Sequence, residues 1–474
     1  MSARASKTVS YDLIAIGSGP AGRGAAMQAA ALGKRAAIVE QGALGGVSIN
    51  VGTLPSQTLR AAIVELTGQA HGIYRNAYRA RREITLDDLL WRTPRVIERE
   101  RDRIHDELRR SGVEVIAGAA AFADPSSVVV TRGDERVRIA AERFVIAVGS
   151  TPFRPPAVDF DGRTVLDADR MLGLAHVPQR LTVIGGGIVG AEYSSMAAAL
   201  GVHVTLVDRR RRILDLVDPD IVEVMQYHLR GIGLDFRLGE TMTAVERRSD
   251  GAVVTHLESG RQVESDVVLH AGGRRGATDG LDLAAAGLAA DARGRIPVDA
   301  AYRTAQPHIL AAGAVTGLCE RDAASKEQGR IAALMAFGVP ARPRSALVPV
   351  GIYTIPEISF VGASERGLAE RNEPYVCGIT RYGELARGEI TGDHAGMLKL
   401  LVHARTRRLL GAHLFGTSAA ELVHLAQAVI AGDLTVDYLV DAAVNVPAFA
   451  EAYTVAALAA ADRLDTLGRP ARAA

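Results

Sequence analysis

The sequence predicts an α/β fold in which two parallel-sheet units of the βαβ type are followed by an α+β domain. Two observations predict the βαβ units, because an apolar strand, a glycine-rich turn and an alanine-rich helix occur in that order near residues 11–40 and again near residues 181–208. A third observation predicts the last domain, since short alternating segments replace this pattern from residue 348 onward. The 474 residues suffice for about three domains.

The first βαβ unit begins with the apolar run Leu13 to Ile16, which is typical of a buried parallel strand. The turn Gly17-Ser18-Gly19-Pro20-Ala21-Gly22 follows it. An alanine-rich stretch then predicts a helix to about Leu32, and Ala36 to Val39 predicts a second strand that ends in Glu40. One unit therefore contains a strand, a glycine-rich turn, a helix, a second strand and an acidic residue.

The spacing of this turn suits a bound dinucleotide. Gly17 permits a sharp turn, Gly19 lets the backbone approach a pyrophosphate, and Gly22 lets the helix pack on the strand. The helix N-terminus offers free N–H groups and the positive end of its dipole to the phosphates. Glu40 can accept hydrogen bonds from a ribose 2′-hydroxyl. The alternative is a glycine-rich turn that binds no ligand.

The same pattern recurs in the second βαβ unit. Leu181 to Ile184 predicts a strand, and Gly185-Gly186-Gly187-Ile188-Val189-Gly190 forms the turn. A helix is predicted through Glu192 to Leu200, and the strand Val204 to Val207 ends in Asp208. Two such turns predict two dinucleotide sites, between which electrons can pass from one cofactor to another.

The residues after the second unit do not fix the choice between NAD(H) and NADP(H). Asp208 suits a free 2′-hydroxyl and hence NAD(H). Arg209 to Arg212 follow directly and could bind a 2′-phosphate, hence NADP(H). A protein that accepts both nucleotides is expected to show such a compromise. The alternative is that the arginines form a solvated turn.

Two further apolar strands end in glycine turns. Phe144 to Val148 leads to Gly149, Ser150 and Pro152, and Val267 to Ala271 leads to Gly272 and Gly273. Each strand lies where a Rossmann-like unit would close, although an ordinary exit from a strand would look the same.

The last part of the chain predicts a separate α+β domain of roughly 125 residues without a nucleotide-binding turn. Met397 to Val402 and Leu409 to Phe415 are predicted to form antiparallel strands. Ala419 to Ala431 and Glu451 to Leu464 are predicted helices.

Composition argues against several classes of protein. Lys and Arg number 55 against 54 Asp and Glu, which argues against binding nucleic acid or an anionic membrane through bulk charge. Only 4% of residues are aromatic, so a base-stacking platform is not expected. Cys319 and Cys377 allow at most one disulfide and no cysteine-rich metal site. Residues 1–10 lack the apolar core of a secretory signal and no apolar run could span a bilayer, so the default location is the cytoplasm.

Taken together, the motifs resemble those of the flavoprotein pyridine nucleotide–disulfide oxidoreductases from Tyr11 to about Leu464. Within that family the chain is most similar to the soluble pyridine nucleotide transhydrogenases. The strings that carry this likeness are Gly52-Thr53-Leu54-Pro55-Ser56, Gly351-Ile352-Tyr353-Thr354-Ile355-Pro356-Glu357-Ile358-Ser359, Glu384-Leu385-Ala386-Arg387-Gly388 and Ala450-Glu451-Ala452-Tyr453.

The resemblance implies two Rossmann-like dinucleotide-binding domains plus an α+β C-terminal dimerisation domain. A discontinuous FAD-binding domain would comprise residues 1–151 and 275–345, with an NAD(P)-binding domain at 152–274 and a dimerisation domain at 346–474. It also implies FAD as cofactor, NAD(H) and NADP(H) as substrates, and a homodimer, with further assembly left open. The implied cofactor-binding residues are Gly17, Gly19, Pro20, Gly22, Glu40, Gly46, Gly118, Ala119, Gly149, Ser150, Gly313, Ala314, Gly185, Gly187, Gly190, Asp208, Arg209 and Gly273.

The resemblance places Ser48 and Thr53 at the positions of the two redox cysteines of the disulfide reductases. Neither residue can form a disulfide or a thiolate. Val446 stands at the position of the family's acid–base His, so only Glu451 of that pair remains. Thiol–disulfide and mercuric-ion chemistry are therefore excluded. The activity that remains is hydride transfer from NADPH to flavin N5 and on to NAD⁺.

Three departures from the family pattern lie around the expected flavin. Gln57 replaces a Lys that in the family pairs with the residue corresponding to Glu192, so Glu192 is expected to take up a proton more readily. Ala314 replaces an Asp that accepts a hydrogen bond from the FAD ribityl chain. Its loss should reduce FAD affinity by on the order of 1.5–3 kcal/mol, roughly 10- to 150-fold. Ser48 replaces a residue beside the flavin ring.

These departures leave three functions open. The first is an FAD-dependent transhydrogenase-like oxidoreductase, with Ser48, Thr53, Gln57, Glu192 and Glu451 as its candidate catalytic residues. The second is a flavoenzyme on the same scaffold that reduces a different acceptor, such as a quinone, oxygen or a specialised metabolite. The third is a cofactor-poor relative with a structural or regulatory role.

Overall fold

A computed structural model of the chain describes residues 9–67, 85–318, 321–341 and 347–468. The described residues form two compact units. The first unit contains the described parts of Met1–Thr58, Trp91–Phe153 and Gly273–Ala346. The second unit contains those of Leu59–Leu90, Arg154–Gly272 and Leu347–Ala474. The division into three domains at the boundaries given above stays a prediction.

The described residues form the following strands and helices, numbered in chain order. The strands are β1 (Val9–Ile16), β2 (Ala36–Glu40), β3 (Glu114–Ala117), β4 (Ala119–Asp124), β5 (Ser127–Arg132), β6 (Glu135–Ile146), β7 (Ser150–Pro152), β8 (Val165–Asp167), β9 (Arg180–Ile184), β10 (His203–Asp208), β11 (Leu234–Leu238), β12 (Met242–Arg247), β13 (Val253–Leu257), β14 (Gln262–Ser265), β15 (Val267–His270), β16 (Arg274–Gly276), β17 (Ile309–Ala311), β18 (Val350–Ile352), β19 (Glu357–Gly362), β20 (Tyr375–Arg381), β21 (Met397–His403) and β22 (Leu409–Gly416). The helices are α1 (Pro20–Ala31), α2 (Gly46–Asn50), α3 (Thr53–Thr67), α4 (Leu86–Leu90), α5 (Thr93–Arg110), α6 (Ile188–Ala199), α7 (Pro219–Gly231), α8 (Asp322–Ala336), α9 (Glu365–Glu370), α10 (Ala386–Thr391), α11 (Ala419–Ala431), α12 (Val436–Asp441) and α13 (Glu451–Gly468).

The first unit is built on a sheet with the strand order β3-β2-β1-β6-β5-β4, in which β17 also pairs with β6. The pairs β3–β2, β2–β1, β1–β6 and β6–β17 are parallel, and β6–β5–β4 form an antiparallel extension. The parallel strands therefore end at one edge of the sheet, and the turns that follow them meet there.

Helices α1 and α8 of the first unit pack with their backbones in contact. A Cβ added at Gly24 would lie 2.2 Å from the carbonyl oxygen of Lys326, and one at Gly329 would lie 1.9 Å from that of Ala21. Only glycine fits at these two crossing points, because any side chain would separate the helices. The two helices therefore cross where Ala21 and Gly24 of α1 meet Lys326 and Gly329 of α8.

The second unit contains a parallel sheet of the order β11-β10-β9-β15-β8 and an antiparallel sheet of the order β18-β19-β22-β21-β20. A small antiparallel sheet, β12-β13-β14, accompanies them. The buried side chains of the parallel sheet, such as Val183 and Leu206, belong to the same hydrophobic core as Ile358 and Phe415 of the antiparallel sheet.

A buried lysine also joins elements of the second unit. The ammonium group of Lys399 on β21 lies 2.8 Å from carboxylate oxygens of Asp220 and Glu365 and 3.2 Å from one of Asp218. Burial opposes the positive charge, but the hydrogen bonds to Asp220 and Glu365 outweigh it and raise the pKa of Lys399. The cluster fixes the start of α7 against the antiparallel sheet.

The predicted fold class is confirmed, and the predicted strands and helices occur within a few residues of their expected positions, except that β6 begins at Glu135, nine residues before the predicted start at Phe144. The predicted helix of the first unit ends at Ala31, followed by Gly33 with a positive φ. Among the described helices, none is both long enough and apolar enough to cross a bilayer.

Candidate functional site

The first glycine-rich turn follows β1 and can contain only glycine at two positions. Gly17 has a φ of +103°, and a Cβ there would lie 2.5 Å from the carbonyl oxygen of Ala147. A Cβ at Gly22 would lie 1.8 Å from the carbonyl oxygen of Gly17. Gly22 is thus needed mainly for the turn itself, more than for helix–strand packing. At Gly19 a Cβ would meet no protein atom within 4 Å, so this face of the turn is open.

Helix α1 begins directly at this open face. Gly19 is its N-cap and Pro20 its first residue, and no side chain caps the helix or places a carboxylate in its first turn. The free N–H groups and the dipole therefore favour an anion at this end. The residues present fit the phosphates of a dinucleotide.

Glu40, at the end of β2, is held by the turn. One carboxylate oxygen accepts hydrogen bonds from the N–H and the hydroxyl of Ser18 at 2.8 and 2.6 Å, and the other accepts from the N–H of Gly42 at 2.8 Å. The Ser18 hydroxyl in turn accepts from the N–H of Gly45 at 3.0 Å. Glu40 is therefore oriented before any ligand binds.

Other predicted cofactor-binding residues of the first unit lie at the same edge of its sheet. The N–H of Gly118, next to Ala119 at the start of β4, donates to the carbonyl of Glu40 at 2.9 Å. A Cβ at Gly46 would lie 3.0 Å from the Cα of Gly19. Gly313 follows β17, and a Cβ there would lie 2.9 Å from the side chain of Ala21.

The remaining predicted residues of the first unit follow β6, β15 and β17. Gly149 and Gly273 both have positive φ, of +73° and +118°. The buried Ser150 accepts a hydrogen bond from Nε of Arg274 at 2.9 Å through its hydroxyl. Ala314 is half-buried and begins a short 3₁₀ turn.

The segment at the redox-cysteine positions contains a polar pair that the sequence did not reveal. Ser48 on α2 is buried, and its hydroxyl donates a hydrogen bond to the carboxylate of Asp322, the first residue of α8. Thr53 begins α3 and is exposed, and Gln57 is half-buried on the same helix. Ser48, which the resemblance places at a redox-cysteine position, is therefore engaged by Asp322.

The second glycine-rich turn, in the second unit, repeats the geometry of the first. Gly185 has a φ of +110°, and a Cβ there would lie 2.6 Å from the carbonyl oxygen of Ala271. A Cβ at Gly190 would lie 1.8 Å from the carbonyl oxygen of Gly185, whereas one at Gly187 would meet nothing within 4 Å. The two turns therefore have the same closed and open positions, and α6 begins at the open one.

Asp208 ends β10 and is buried next to this turn. Its carboxylate accepts the N–H of Gly186 at 2.6 Å, and the side chain of Arg210 contacts both of its oxygens at 2.7 and 3.0 Å. Burial opposes the ionised form, but the hydrogen bonds from Arg210 and Gly186 lower the pKa of Asp208. Arg209, which the sequence had singled out, is exposed. Arg210 is a residue that sequence reasoning did not distinguish within the arginine run.

Glu192 lies in α6 of the second unit and is partly buried. Its carboxylate accepts the N–H of Tyr353 at 2.8 Å. Burial raises the pKa of Glu192 to about 7, although the Tyr353 hydrogen bond and the charge of Arg60 lower it in part. Arg60 donates from Nε to the carbonyl of Thr354 at 3.0 Å and lies 3.1 Å from Glu357. Neither Arg60 nor Tyr353 was predicted from the sequence.

Glu451 begins α13 of the second unit. Its Oε2 is buried and has no hydrogen-bond partner within the described residues. Val446, at the position of the family's histidine, is exposed and cannot transfer a proton. Glu451 therefore retains an acceptor that the rest of the described chain does not use.

Two family models match this chain. The model of the pyridine nucleotide-disulphide oxidoreductases matches residues 11–336. The model of the dimerisation domain of these proteins matches residues 348–457.

Relatives match over nearly the whole length. A soluble pyridine nucleotide transhydrogenase of Mycobacterium bovis is 47% identical over 463 residues, which cover 97% of this chain and 99% of that protein. A protein of the same name from Colwellia psychrerythraea is 39% identical over 464 residues, which cover 97% and 99%.

Solved structures are similar over the same range. LpdA from Mycobacterium tuberculosis superposes with a TM-score of 0.85 at 25% identity, covering 95% of this chain and 99% of that one. The HOCl-induced flavoprotein disulfide reductase RclA from Escherichia coli superposes with a TM-score of 0.83 at 27% identity, covering 94% and 98%.

Proposed function

The chain belongs to the pyridine nucleotide–disulphide oxidoreductases, and on that premise we propose that it is an FAD-dependent oxidoreductase that transfers hydride from NADPH through the flavin to NAD⁺. The observation that carries the proposal is the repeated turn geometry. Gly19 and Gly187 are both open, while Gly22 and Gly190 are both closed by the carbonyl of their own turn. Two dinucleotides can thus bind one chain.

The residues of the first unit suit the pyrophosphate and the ribose of FAD. The N-terminus of α1 would hold the pyrophosphate, and Glu40 is already oriented to accept a ribose hydroxyl. Ala314 provides no acceptor for the ribityl chain. When bound, FAD supplies a two-electron acceptor and donor at N5, so that two nicotinamide nucleotides can exchange hydride in succession.

The residues of the second unit suit both nicotinamide nucleotides. Because Arg210 pairs with Asp208, the strand end presents a carboxylate and a guanidinium together. The carboxylate can accept a 2′-hydroxyl, and the guanidinium can donate to a 2′-phosphate. This arrangement supports a protein that uses NADPH and NAD⁺ at one site.

The chain's side chains support hydride transfer without dithiol chemistry. Ser48 and Thr53 cannot relay electrons, and Ser48 is bound to Asp322. Glu192, with its pKa of about 7, can hold or release a proton near neutral pH. The rate would then depend on how the two nucleotides are oriented and on the charges around them.

One observation favours the second candidate, a different final acceptor. The Ser48–Asp322 pair places a carboxylate and a hydroxyl where the disulfide reductases have a thiol. An acceptor that takes up a proton together with hydride, such as a quinone, could receive that proton from solvent by relay through the Ser48 hydroxyl. A transhydrogenase needs no such donor, because nicotinamide accepts hydride alone.

The dimerisation-domain match supports a homodimer. Several large apolar side chains of the second unit are exposed in one chain. They are Ile390, Tyr438, Val446 and Leu458. We propose that pairing of two chains covers such side chains.

The test is a visible absorption spectrum of the full-length protein before and after anaerobic addition of NADPH, followed by addition of thio-NAD⁺. Full FAD occupancy, bleaching by NADPH and reoxidation by thio-NAD⁺ are expected. FAD that bleaches but reoxidises only with a quinone would select the second candidate. Absence of flavin even after FAD is added would support the cofactor-poor role.

A matched pair of variants separates the nicotinamide site from folding. Gly187→Val adds a side chain whose Cβ meets no protein atom within 4 Å and which fills the open face of the second turn. It should retain FAD and lose bleaching by NADPH. Gly231→Ala, also without a close neighbour, should behave like the wild type.

A further inference from the structure

The first unit contains a polar cleft that neither the motifs nor the family resemblance assigns. The cleft lies between α1, α5 and α8 and has a volume of about 500 Å³, within the range of ligand pockets. The N-terminal turns of α1 and α8 both border it, through Pro20 and Ala323. Its charged lining consists of Arg23, Arg103, Arg110, Lys326, Glu100, Glu107 and Asp322.

Arg23 is the buried cation of this cleft. It is only 8% exposed, and its Nε is buried without a hydrogen-bond partner in the described part of the chain. Its guanidinium Nη1 lies 3.7 Å from a carboxylate oxygen of Glu107, which is longer than a hydrogen bond. Side chains of a helix point back toward its N-terminus, so this guanidinium lies over the first turn of α1. A buried N–H donor without a partner costs free energy, and an acceptor that binds it removes this cost.

The charges of the cleft favour an anion as that acceptor. The four cations exceed the three carboxylates by one. Each carboxylate is also engaged: Glu100 with Arg103 at 3.0 Å, Glu107 with Lys326 at 3.6 Å, and Asp322 with the hydroxyl of Ser48. The two helix N-termini add partial positive charge.

We propose that Arg23 is the central cation of a phosphate-binding cleft at the start of α1. The phosphoryl group comes either from the FAD diphosphate, in which case the inference rests on the proposed function, or from free phosphate. The glycine-rich turn binds phosphate only through its backbone and dipole. Arg23 would add a charge-assisted hydrogen bond from a side chain, which is stronger than a neutral one.

The test compares Arg23→Met with Arg103→Met in the full chain. Met keeps an apolar stem and removes the charge, and Arg103 is an exposed control that pairs with Glu100. Two constants are measured at fixed ionic strength: the Kd of FAD from flavin fluorescence, and the Kd of inorganic phosphate for the FAD-loaded protein from calorimetry. Circular dichroism checks that each variant folds.

If FAD supplies the phosphate, Arg23→Met should weaken FAD binding about tenfold or more, and Arg103→Met much less. If free phosphate is the ligand, Arg23→Met should lose phosphate binding with FAD affinity unchanged. The proposal is overturned if Arg23→Met binds both as the wild type does, or if both variants weaken FAD equally.

Arg23→Lys provides a second test should Arg23→Met fail to fold. It retains the charge but not the planar set of donors, so it should bind the same phosphate with an intermediate loss of affinity. Wild-type affinity in this variant would contradict the proposal. A wild-type chain that binds no FAD would refute the proposed function, and the Kd of inorganic phosphate would then be measured on the FAD-free wild type and Arg23→Met, where loss of binding in the variant would still support the cleft.

Discussion

The side chain of Arg210 binds the carboxylate of Asp208 with both Nε and Nη2, at 3.0 and 2.7 Å, and the backbone N–H of Arg210 adds a third contact at 2.7 Å. Arg210 also reaches Asp215 at 2.9 Å. The acidic residue that would discriminate against a 2′-phosphate is therefore neutralised by its own neighbour. Arg210 therefore determines the electrostatics of this strand end through its ion pairs with Asp208 and Asp215.

Removing Arg210 should shift the preference from NADPH toward NADH. In Arg210→Met the carboxylate of Asp208 is no longer paired and repels a 2′-phosphate, so kcat/KM for NADPH should fall about tenfold or more while that for NADH changes little. Steady-state kinetics with both nucleotides measure the ratio. Arg212→Met, which changes an exposed arginine of the same run, is the control. An equal loss with both nucleotides would show that Arg210 only supports the turn.

The ion pair between Arg210 and Asp208 was only partly predictable from the sequence. The strand ending in Asp208 and the turn before it were predictable, because apolar runs and glycine spacing are local. Which of four consecutive arginines pairs with Asp208 was not predictable, because all four have the same chemistry. The backbone path after the strand decides it by directing Arg210 inward and Arg209 outward.

Contacts between segments far apart in the sequence could not be predicted either. Ser48 and Asp322 are 274 residues apart, and Glu192 and Tyr353 are 161 residues apart. The sequence predicted Ser48 and Glu192 through resemblance, but their partners depend on how the sheets and helices pack. Arg23 stands directly after Gly22 of the first turn, and only the structure shows that it is buried with an unpaired donor.

Thiol reagents should leave the activity intact. Ser48 and Thr53 contain no sulfur, and burial raises the pKa of the half-buried Cys377 to about 12, so little reactive thiolate forms at neutral pH. Cys319 lies outside the described residues. NADPH-dependent flavin bleaching before and after treatment with iodoacetamide measures the effect, with the number of added groups read by mass spectrometry. Loss of bleaching in step with alkylation would indicate that a cysteine takes part.

Restoring an acid at position 314 should strengthen FAD binding. Ala314 is half-buried and lies three residues after the end of β17. Ala314→Asp should lower the Kd of FAD by roughly 10- to 150-fold if its carboxylate accepts a hydrogen bond from the ribityl chain. Ala314→Leu adds a side chain of larger size without a hydrogen-bond acceptor, so it should not increase the affinity for FAD. An unchanged Kd in Ala314→Asp would mean that this position does not face the cofactor.

Glu192 should make the protein less stable as the pH rises from about 4.5 to about 7. Burial raises its pKa in the folded state from 4.5 to about 7, so the folded chain binds more protons than the unfolded chain in this interval. The penalty, on the order of 3 kcal/mol, is absent below the unfolded pKa and complete above the folded one. Glu192→Gln keeps the size and cannot ionise.

The measurement is the difference in denaturation midpoint between about pH 5 and about pH 8 for the wild type and for Glu192→Gln. All other titrating groups are common to both proteins, so their effects cancel in the comparison. The wild type should lose more stability on going to the higher pH, and the variant should be the more stable of the two there. If the midpoints of the wild type and of Glu192→Gln changed by the same amount between the two pH values, the carboxyl of Glu192 would be ionised throughout. Arg60 and the N–H of Tyr353 would then be sufficient to stabilise its charge.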